Sequence, residues 1–293
     1  MPLIKLLRLS HWTKNLFLFL PLFFSGHVGD WDALLLCLSG FLAFGLSASS
    51  IYIINDVRDV EEDRQHPVKQ HRPFASGQVS TRLGLGLAFM LLSSGLVIAA
   101  VLNALFLYVL IGYVAMNLAY SMGLKHMPII DVSMIATGFV LRVVSGGVLG
   151  EVAVSHWIIV MTFLLALFLA LAKRRDDLVI HRDSGKVMRK SMEGYNLDFV
   201  NAAMTLMSGV IVVAYLMYTL STEVIQRMGT DKLYLTGLFV IMGLMRYLQL
   251  TLVYERSGNP TQILLRDRTI QIVLLGWMLS FVVILYSGQW VHQ

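Results

Sequence analysis

Apolar residues follow one another for roughly 17 to 22 positions at a time along this chain, separated by short polar stretches, and each run can cross a hydrocarbon core about 30 Å thick as a helix. The breaks predict spans at roughly 14–26, 34–54, 83–101, 104–122, 128–148, 155–173, 199–221, 233–250 and 268–288, nine helices in all. The first is the weakest: Lys14 and Asn15 stand at its start and His27 to Asp32 end it early, so a re-entrant or tilted segment fits there.

Composition agrees with this pattern. The 293 residues are 57% hydrophobic and 14% charged, against about 25% charged in an ordinary soluble domain, and mean hydropathy is +0.70. Water cannot solvate that surface, and six prolines with few turn clusters argue against a barrel. Residues 1–293 are expected to form a single polytopic membrane domain. The start, Met1 to Lys14, alternates Leu3, Ile4, Leu6, Leu7 and Leu9 with Lys5, Arg8 and Lys14, as an interfacial helix does, and no small-residue cleavage site follows it. Cys37 falls in a leucine-rich span and is given no chemistry.

Charge then sets the expected orientation. Of the 23 Lys and Arg, Arg142 lies within a span, Arg227 and Lys232 fall on one side, and the other 20 fall on the opposite side. The positive-inside rule places that richer side, with the N-terminus, in the cytoplasm and the C-terminus outside, in a plasma membrane. The net charge of +5 thus needs no nucleic acid to explain it. Two long cytoplasmic loops, roughly 55–82 and 174–198, follow spans two and six, four spans apart, which suggests a duplicated four-helix unit with its chemistry on the cytoplasmic face.

The second span runs into Asn55-Asp56-Val57-Arg58-Asp59-Val60-Glu61-Glu62-Asp63, in the pattern N-D-x-x-D-x-x-x-D. If the helix continues, Asn55, Asp56, Asp59 and Asp63 share one face at spacings of three and four. Carboxylates so placed repel one another unless cations lie nearby. Hard oxygen donors suit Mg²⁺, which is usually shared between one or two carboxylates and substrate phosphates, so a diphosphate substrate is implied. Downstream, Lys69 and Arg72 fall within reach of phosphate oxygens, although cytoplasmic cations are also expected for orientation alone; His66 and His71 read as structural.

These residues resemble the UbiA superfamily of intramembrane prenyltransferases, in which the same motif follows the second of nine helices. Tyr120-Ser121-Met122-Gly123-Leu124-Lys125 is similar to that family's Y-S-x-x-L-K element. Typical aromatic prenyltransferases of the family carry a second Asp-rich motif after span six, whereas this chain has Lys173-Arg174-Arg175-Asp176-Asp177-Leu178 there. That element resembles the decaprenyl-phosphate phosphoribosyltransferase branch, as do Trp12-Thr13-Lys14-Asn15, Arg189 to Tyr195, Leu141 to Gly147 and Leu265 to Arg268.

The resemblance implies an all-α membrane bundle of two four-helix repeats and a Mg²⁺-dependent transfer of 5-phosphoribose from phosphoribosyl diphosphate to a polyprenyl phosphate, feeding cell-wall precursor synthesis. Asp56, Asp59 and Asp63 are then the catalytic carboxylates, holding the metal with Asn55, while Lys14, Lys69, Arg72, Tyr120, Lys125, Arg142, Lys173, Arg174 and Asp177 contact substrate. Asp59 would also steady positive charge on the ribose. Arg142 interrupts an otherwise nearly uncharged span, and reads either as a phosphate ligand or as a structural partner of Asp131 or of backbone carbonyls. Two other readings stand beside this one: an aromatic prenyltransferase using a prenyl diphosphate, which calls for a complete second Asp-rich motif, and a transporter, which calls for ionisable residues near the midplane. A homo-oligomer is left open.

Overall fold

A backbone in lipid must satisfy its own N–H and C=O groups, and among helices and closed barrels this sequence takes helices. The computed structural model describes residues 2–65, 69–184, 194–255, 263 and 266–290, with no strand among them. His66, residues 189–193 of the stretch ending at Tyr195, and Leu265 lie outside the described residues. The elements are α1 (Pro2–Leu7), a 3₁₀ segment (Leu9–Phe19), α2 (Leu20–Ser25), α3 (Trp31–Arg58), α4 (Val60–Gln65), α5 (Thr81–Leu102) and α6 (Ala104–Met122). They continue as α7 (Ile130–Leu149), α8 (His156–Ser184), α9 (Leu197–Thr219), α10 (Thr222–Met228), α11 (Gly237–Leu248) and α12 (Arg268–Trp290).

Side chains at the helix starts explain several boundaries. Asp30 accepts from the backbone of Asp32 and Ala33 to open α3, and Asn103 accepts from Leu105 and Phe106 to open α6 one residue after α5 ends. Ser80 and Asn196 do the same for α5 and α9.

Among the described residues, seven helical stretches are long and apolar enough to cross a membrane: α3, α5, α6, α7, α8, α9 and Lys232–Val253. The expected nine are therefore not all matched. Residues 14–26 do not make one apolar rod; they divide between the 3₁₀ segment, which turns Asn15 inward, and the six-residue α2, which stops at left-handed Gly26 (φ 79°). The loops are also shorter than expected. Helix continues through Gln65 after span two, with one break at Asp59, and α8 runs to Ser184, well past 173, so Lys173 to Asp177 are helical rather than part of a loop.

The chain divides into two compact units, Met1–Lys125 with Thr137–Ser155, and His126–Ala136 with His156–Gln293. In the first, α3 is central, packing on α1, the 3₁₀ segment, α5 and α6. Its core gathers Leu18, Leu22, Cys37, Phe44, Phe106 and Leu110, and a smaller cluster sets Leu6 of α1 against Ile53, Phe74 and Leu91. Two glycines admit the 3₁₀ segment: a side chain at Gly146 would strike the Leu18 carbonyl, and one at Gly45 would enter the Trp12 indole. Trp12 then donates to Ser49 Oγ (3.0 Å), and Ser49 to the Leu7 carbonyl (2.7 Å), tying the N-terminal segment along α3. In the second unit α8 packs on α9, α9 on α11 and α11 on α12, around Phe168, Leu171, Val200, Met204 and Ile270.

Candidate active site

The motif stands where α3 ends. Asp59 caps the helix, yet its amide bonds the Asn55 carbonyl (2.9 Å) and the Asp63 amide bonds the Asp59 carbonyl (2.8 Å), so helical register passes through the break. The expected common face is thereby preserved. Its four polar side chains form two pairs. Asp56 and Asp63, both buried, are bridged by one nitrogen of Arg72, whose Nη1 lies 2.9 Å from Asp56 Oδ1 and 2.7 Å from Asp63 Oδ2. Asn55 Nδ2 donates to Asp59 Oδ2 (2.9 Å), and Lys125 Nζ to Asp59 Oδ1 (2.6 Å).

Arg8 completes the neutralisation: its Nη2 reaches both oxygens of Asp56 at 2.5 and 2.7 Å, and its guanidinium lies over the Tyr52 ring. Three carboxylates thus meet three side-chain cations. No group of three His, Cys, Asp or Glu is drawn tightly enough among the described residues to chelate an ion by itself. The donor set nonetheless suits a divalent cation, since Arg72 already holds a positive charge between two carboxylate oxygens. Of the remaining predicted contacts, Lys69 lies in the partly exposed turn Lys69–His71 and Tyr120 is half-buried near the end of α6.

Within the same unit, Arg142 is buried inside α7. It does not pair with Asp131: it donates to Asn15 Oδ1 (2.8 Å), the Gly138 carbonyl (2.7 Å) and the Tyr113 hydroxyl (2.9 Å). Lys14 stands beside Asn15 in the 3₁₀ segment, within Coulombic range of Arg142 and Arg8.

Asp131 belongs to the second unit and is fully buried there, with Oδ2 accepting from Arg174 Nε (2.7 Å) and Oδ1 from the Tyr195 hydroxyl (2.7 Å). The Tyr195 oxygen in turn accepts from the Ile129 amide (2.6 Å), at a residue with φ 70°. Burial, and after it the bond to Asp131, pushes the Tyr195 hydroxyl above the ordinary phenol range. Arg174 also reaches Asp177 (3.2 Å), so the acidic residue expected to contact substrate is engaged within its own helix. Lys173 is exposed.

Arg8, Asn15, Tyr113, Asp131 and Tyr195 were not among the predicted contact residues. Asn15 lies in the Trp12-to-Asn15 stretch that carries part of the resemblance, and Asp131 reads in sequence only as a partner for Arg142. Arg8 reads as one more interfacial cation until a left-handed turn (φ 48°) directs it to Asp56.

Comparison with known proteins covers nearly the whole chain. Residues 16–266 match the model of the UbiA prenyltransferase family. The chain is 34% identical over 286 residues to a decaprenyl-phosphate phosphoribosyltransferase of Mycolicibacterium smegmatis, covering 94% of this chain and 90% of that protein. It is 30% identical over 294 residues to the protein of the same description from Corynebacterium glutamicum, covering 97% and 86%. In fold it is similar to a UbiA homolog from Archaeoglobus fulgidus whose structure is bound to DMAPP and Mg²⁺, with TM-score 0.72 and 20% identity over 97% of this chain and 99% of that one.

Proposed function

The chain belongs to the UbiA prenyltransferase family, and from that premise we propose that it transfers 5-phosphoribose from 5-phosphoribosyl 1-diphosphate to a decaprenyl-type polyprenyl phosphate, releasing diphosphate. The observation that carries this reading is near-full-length likeness, at 30 to 34% identity, to proteins described as decaprenyl-phosphate phosphoribosyltransferases. The second unit supports it too: where an aromatic prenyltransferase would present another acidic cluster, Arg174 ties Asp177 and Asp131 into an internal network.

Asn55, Asp56, Asp59 and Asp63 would hold Mg²⁺, an ion present in the Archaeoglobus structure. When bound, that ion supplies charge dispersal on the departing diphosphate. Arg8, Lys69, Arg72, Tyr120 and Lys125 surround or follow these carboxylates and are assigned to diphosphate oxygens. Lys14 and Arg142 are assigned to a further phosphate, and Lys173 to substrate phosphate, while Arg174 and Asp177 brace the second unit. The acceptor phosphate is anionic at neutral pH, so its oxygen attacks the anomeric carbon without a strong base. As that C–O bond forms, the bond to diphosphate breaks, the leaving group keeps the electron pair, and the anomeric centre inverts. Asp59 steadies positive charge on the ribose. By the positive-inside rule the reaction takes place at the cytoplasmic face of the plasma membrane, with the C-terminus outside.

Purified protein supplied with Mg²⁺, phosphoribosyl diphosphate and polyprenyl phosphate is expected to release diphosphate and form the phosphoribosylated lipid. Turnover only with a prenyl diphosphate and an aromatic acceptor would overturn the assignment. Thermal protection by phosphoribosyl diphosphate rather than a prenyl diphosphate, in the presence of Mg²⁺, is the corresponding binding result.

A further inference from the structure

Arg142 is 4% exposed inside a membrane-spanning helix, and everything it touches is neutral. Its guanidinium lies over the rings of Tyr113 (4.7 Å), Phe44 (5.1 Å) and Phe139 (5.8 Å). Asn15 is 1% exposed; its oxygen faces Arg142, which leaves the amide Nδ2 buried with no hydrogen-bond partner. Next to it, Lys14 has no carboxylate partner among the described residues, although Arg142 and Arg8 lie in Coulombic range. Tyr113 accepts from Arg142 and so keeps its own proton to donate.

The resulting cluster is rich in donors and sets a lysine beside an arginine with no carboxylate partner among the described residues. Removing an ion from water is costly unless it is compensated. The paired cations Arg8, Arg72 and Lys125 show that this unit supplies carboxylates where the partner is internal. Here it supplies none among the described residues. A ligand that only accepts hydrogen bonds and carries two negative charges would satisfy the Asn15 amide, the Lys14 ammonium, the Tyr113 hydroxyl and the remaining guanidinium N–H groups together. The donors adjoin the acidic cluster without sharing its side chains, since Lys14 lies within Coulombic range of Arg8, which holds Asp56.

We propose that Lys14, Asn15, Tyr113 and Arg142 form a subsite for a phosphate monoester, distinct from the carboxylate cluster assigned to the diphosphate. The proposal rests on the phosphoribosyl-transfer reading, in which two monoesters are present, the 5-phosphate of the donor and the phosphate of the lipid acceptor. Aromatic walls and burial suit either, since both must leave water.

The test uses the full chain in detergent without Mg²⁺, measuring binding of ribose 5-phosphate and of farnesyl phosphate, with ribose and farnesol as controls. At least one monoester is expected to bind where its dephosphorylated control does not, ribose 5-phosphate indicating the donor end and farnesyl phosphate the lipid end. Arg142→Gln and Asn15→Leu should each weaken that binding about tenfold or more while leaving Mg²⁺-pyrophosphate binding intact. Arg142→Lys, which keeps the charge, serves if the glutamine variant fails to fold, and should lose less. Absence of binding by either monoester, or variants that bind as the parent does, overturns the subsite. Parent turnover is measured alongside: turnover without monoester binding sinks the subsite alone, and monoester binding without turnover sinks the transfer reading alone.

Discussion

Arg8 and Asp56 are joined through both carboxylate oxygens, at 2.5 and 2.7 Å, by a side chain whose own backbone is left-handed (φ 48°, ψ 48°). A non-glycine residue held there costs about 1–3 kcal/mol, and the ion pair to a buried carboxylate offsets it. The same guanidinium competes with any divalent cation for Asp56. Arg8→Gln is therefore expected to lower thermal stability and also to reduce the Mg²⁺ concentration that half-saturates the site when no pyrophosphate is present. Calorimetric Mg²⁺ titrations of parent and variant check this; an unchanged or higher requirement would show that Arg8 does not stand in the metal's place.

Lys125, assigned above to diphosphate, also orients Asp59. Its ammonium and the Asn55 amide each hold one Asp59 oxygen, which fixes the carboxylate before any ligand arrives. Loss of such an orienting partner commonly costs about 10- to 100-fold in metal affinity or activity. Lys125→Met should fall in that range for diphosphate release, and Lys125→Arg should recover part of it. A methionine variant with parental kcat and parental Mg²⁺ dependence would remove Lys125 from the site.

Eight of the nine expected spans correspond to helices within a few residues at their starts, because an apolar run of helical length in lipid has one outcome. The first was legible only as the weakest, which left room for a re-entrant or tilted segment but not for its path. Lys14 and Asn15 look like a boundary in sequence, but the segment turns inward, since Gly45 and Gly146 leave room for Trp12 and the Leu18 backbone, and those glycines lie more than 30 residues away. The acidic motif was legible from local spacing alone. What it pairs with was not, because Arg8–Asp56, Lys125–Asp59 and Arg174–Asp131 join residues 43 or more positions apart. The same limit left Asp131 as a candidate partner for Arg142 when Arg174 and Tyr195 already occupy both its oxygens.

Gly146 tests the buried path of the N-terminal segment. A methyl group there would overlap the Leu18 carbonyl, which is backbone and cannot rotate aside. Gly146→Ala is expected to destabilise the protein by about 1–3 kcal/mol, as overpacking does. Because Lys14 and Asn15 ride on the displaced segment, activity should fall more than that of Gly112→Ala, a position with open space beside it. Thermal unfolding and turnover of the two variants decide it.

Tyr195 anchors the start of α9 to α7 through one oxygen. Tyr195→Phe deprives Asp131 Oδ1 and the Ile129 amide of their partner, and a buried group left unsatisfied costs about 1–3 kcal/mol. The variant should unfold at lower temperature with the fold retained. Asp131→Asn should cost more, because Arg174 would lose its buried counter-charge. Equal losses would mean that the Arg174 pair contributes little.

Asp267 supplies a pH-dependent contribution outside the spans. The hydrogen bond from Arg246 Nη2 (2.7 Å) is the main cause that holds its carboxyl below the ordinary value of 3.8, opposed by partial burial and aided by the Ile270 amide. A depressed carboxyl pKa means that the unfolded chain takes up the proton first as pH falls. The stabilisation is therefore fully present above about pH 5 and disappears as pH drops through the folded-state value. Asp267→Asn should lower the unfolding temperature at pH 7, and the gap from the parent should narrow steadily as the pH is brought below 3.8. Unfolding curves across that range measure the gap directly, and one that stays constant would mean the asparagine perturbs packing rather than removing an ion pair.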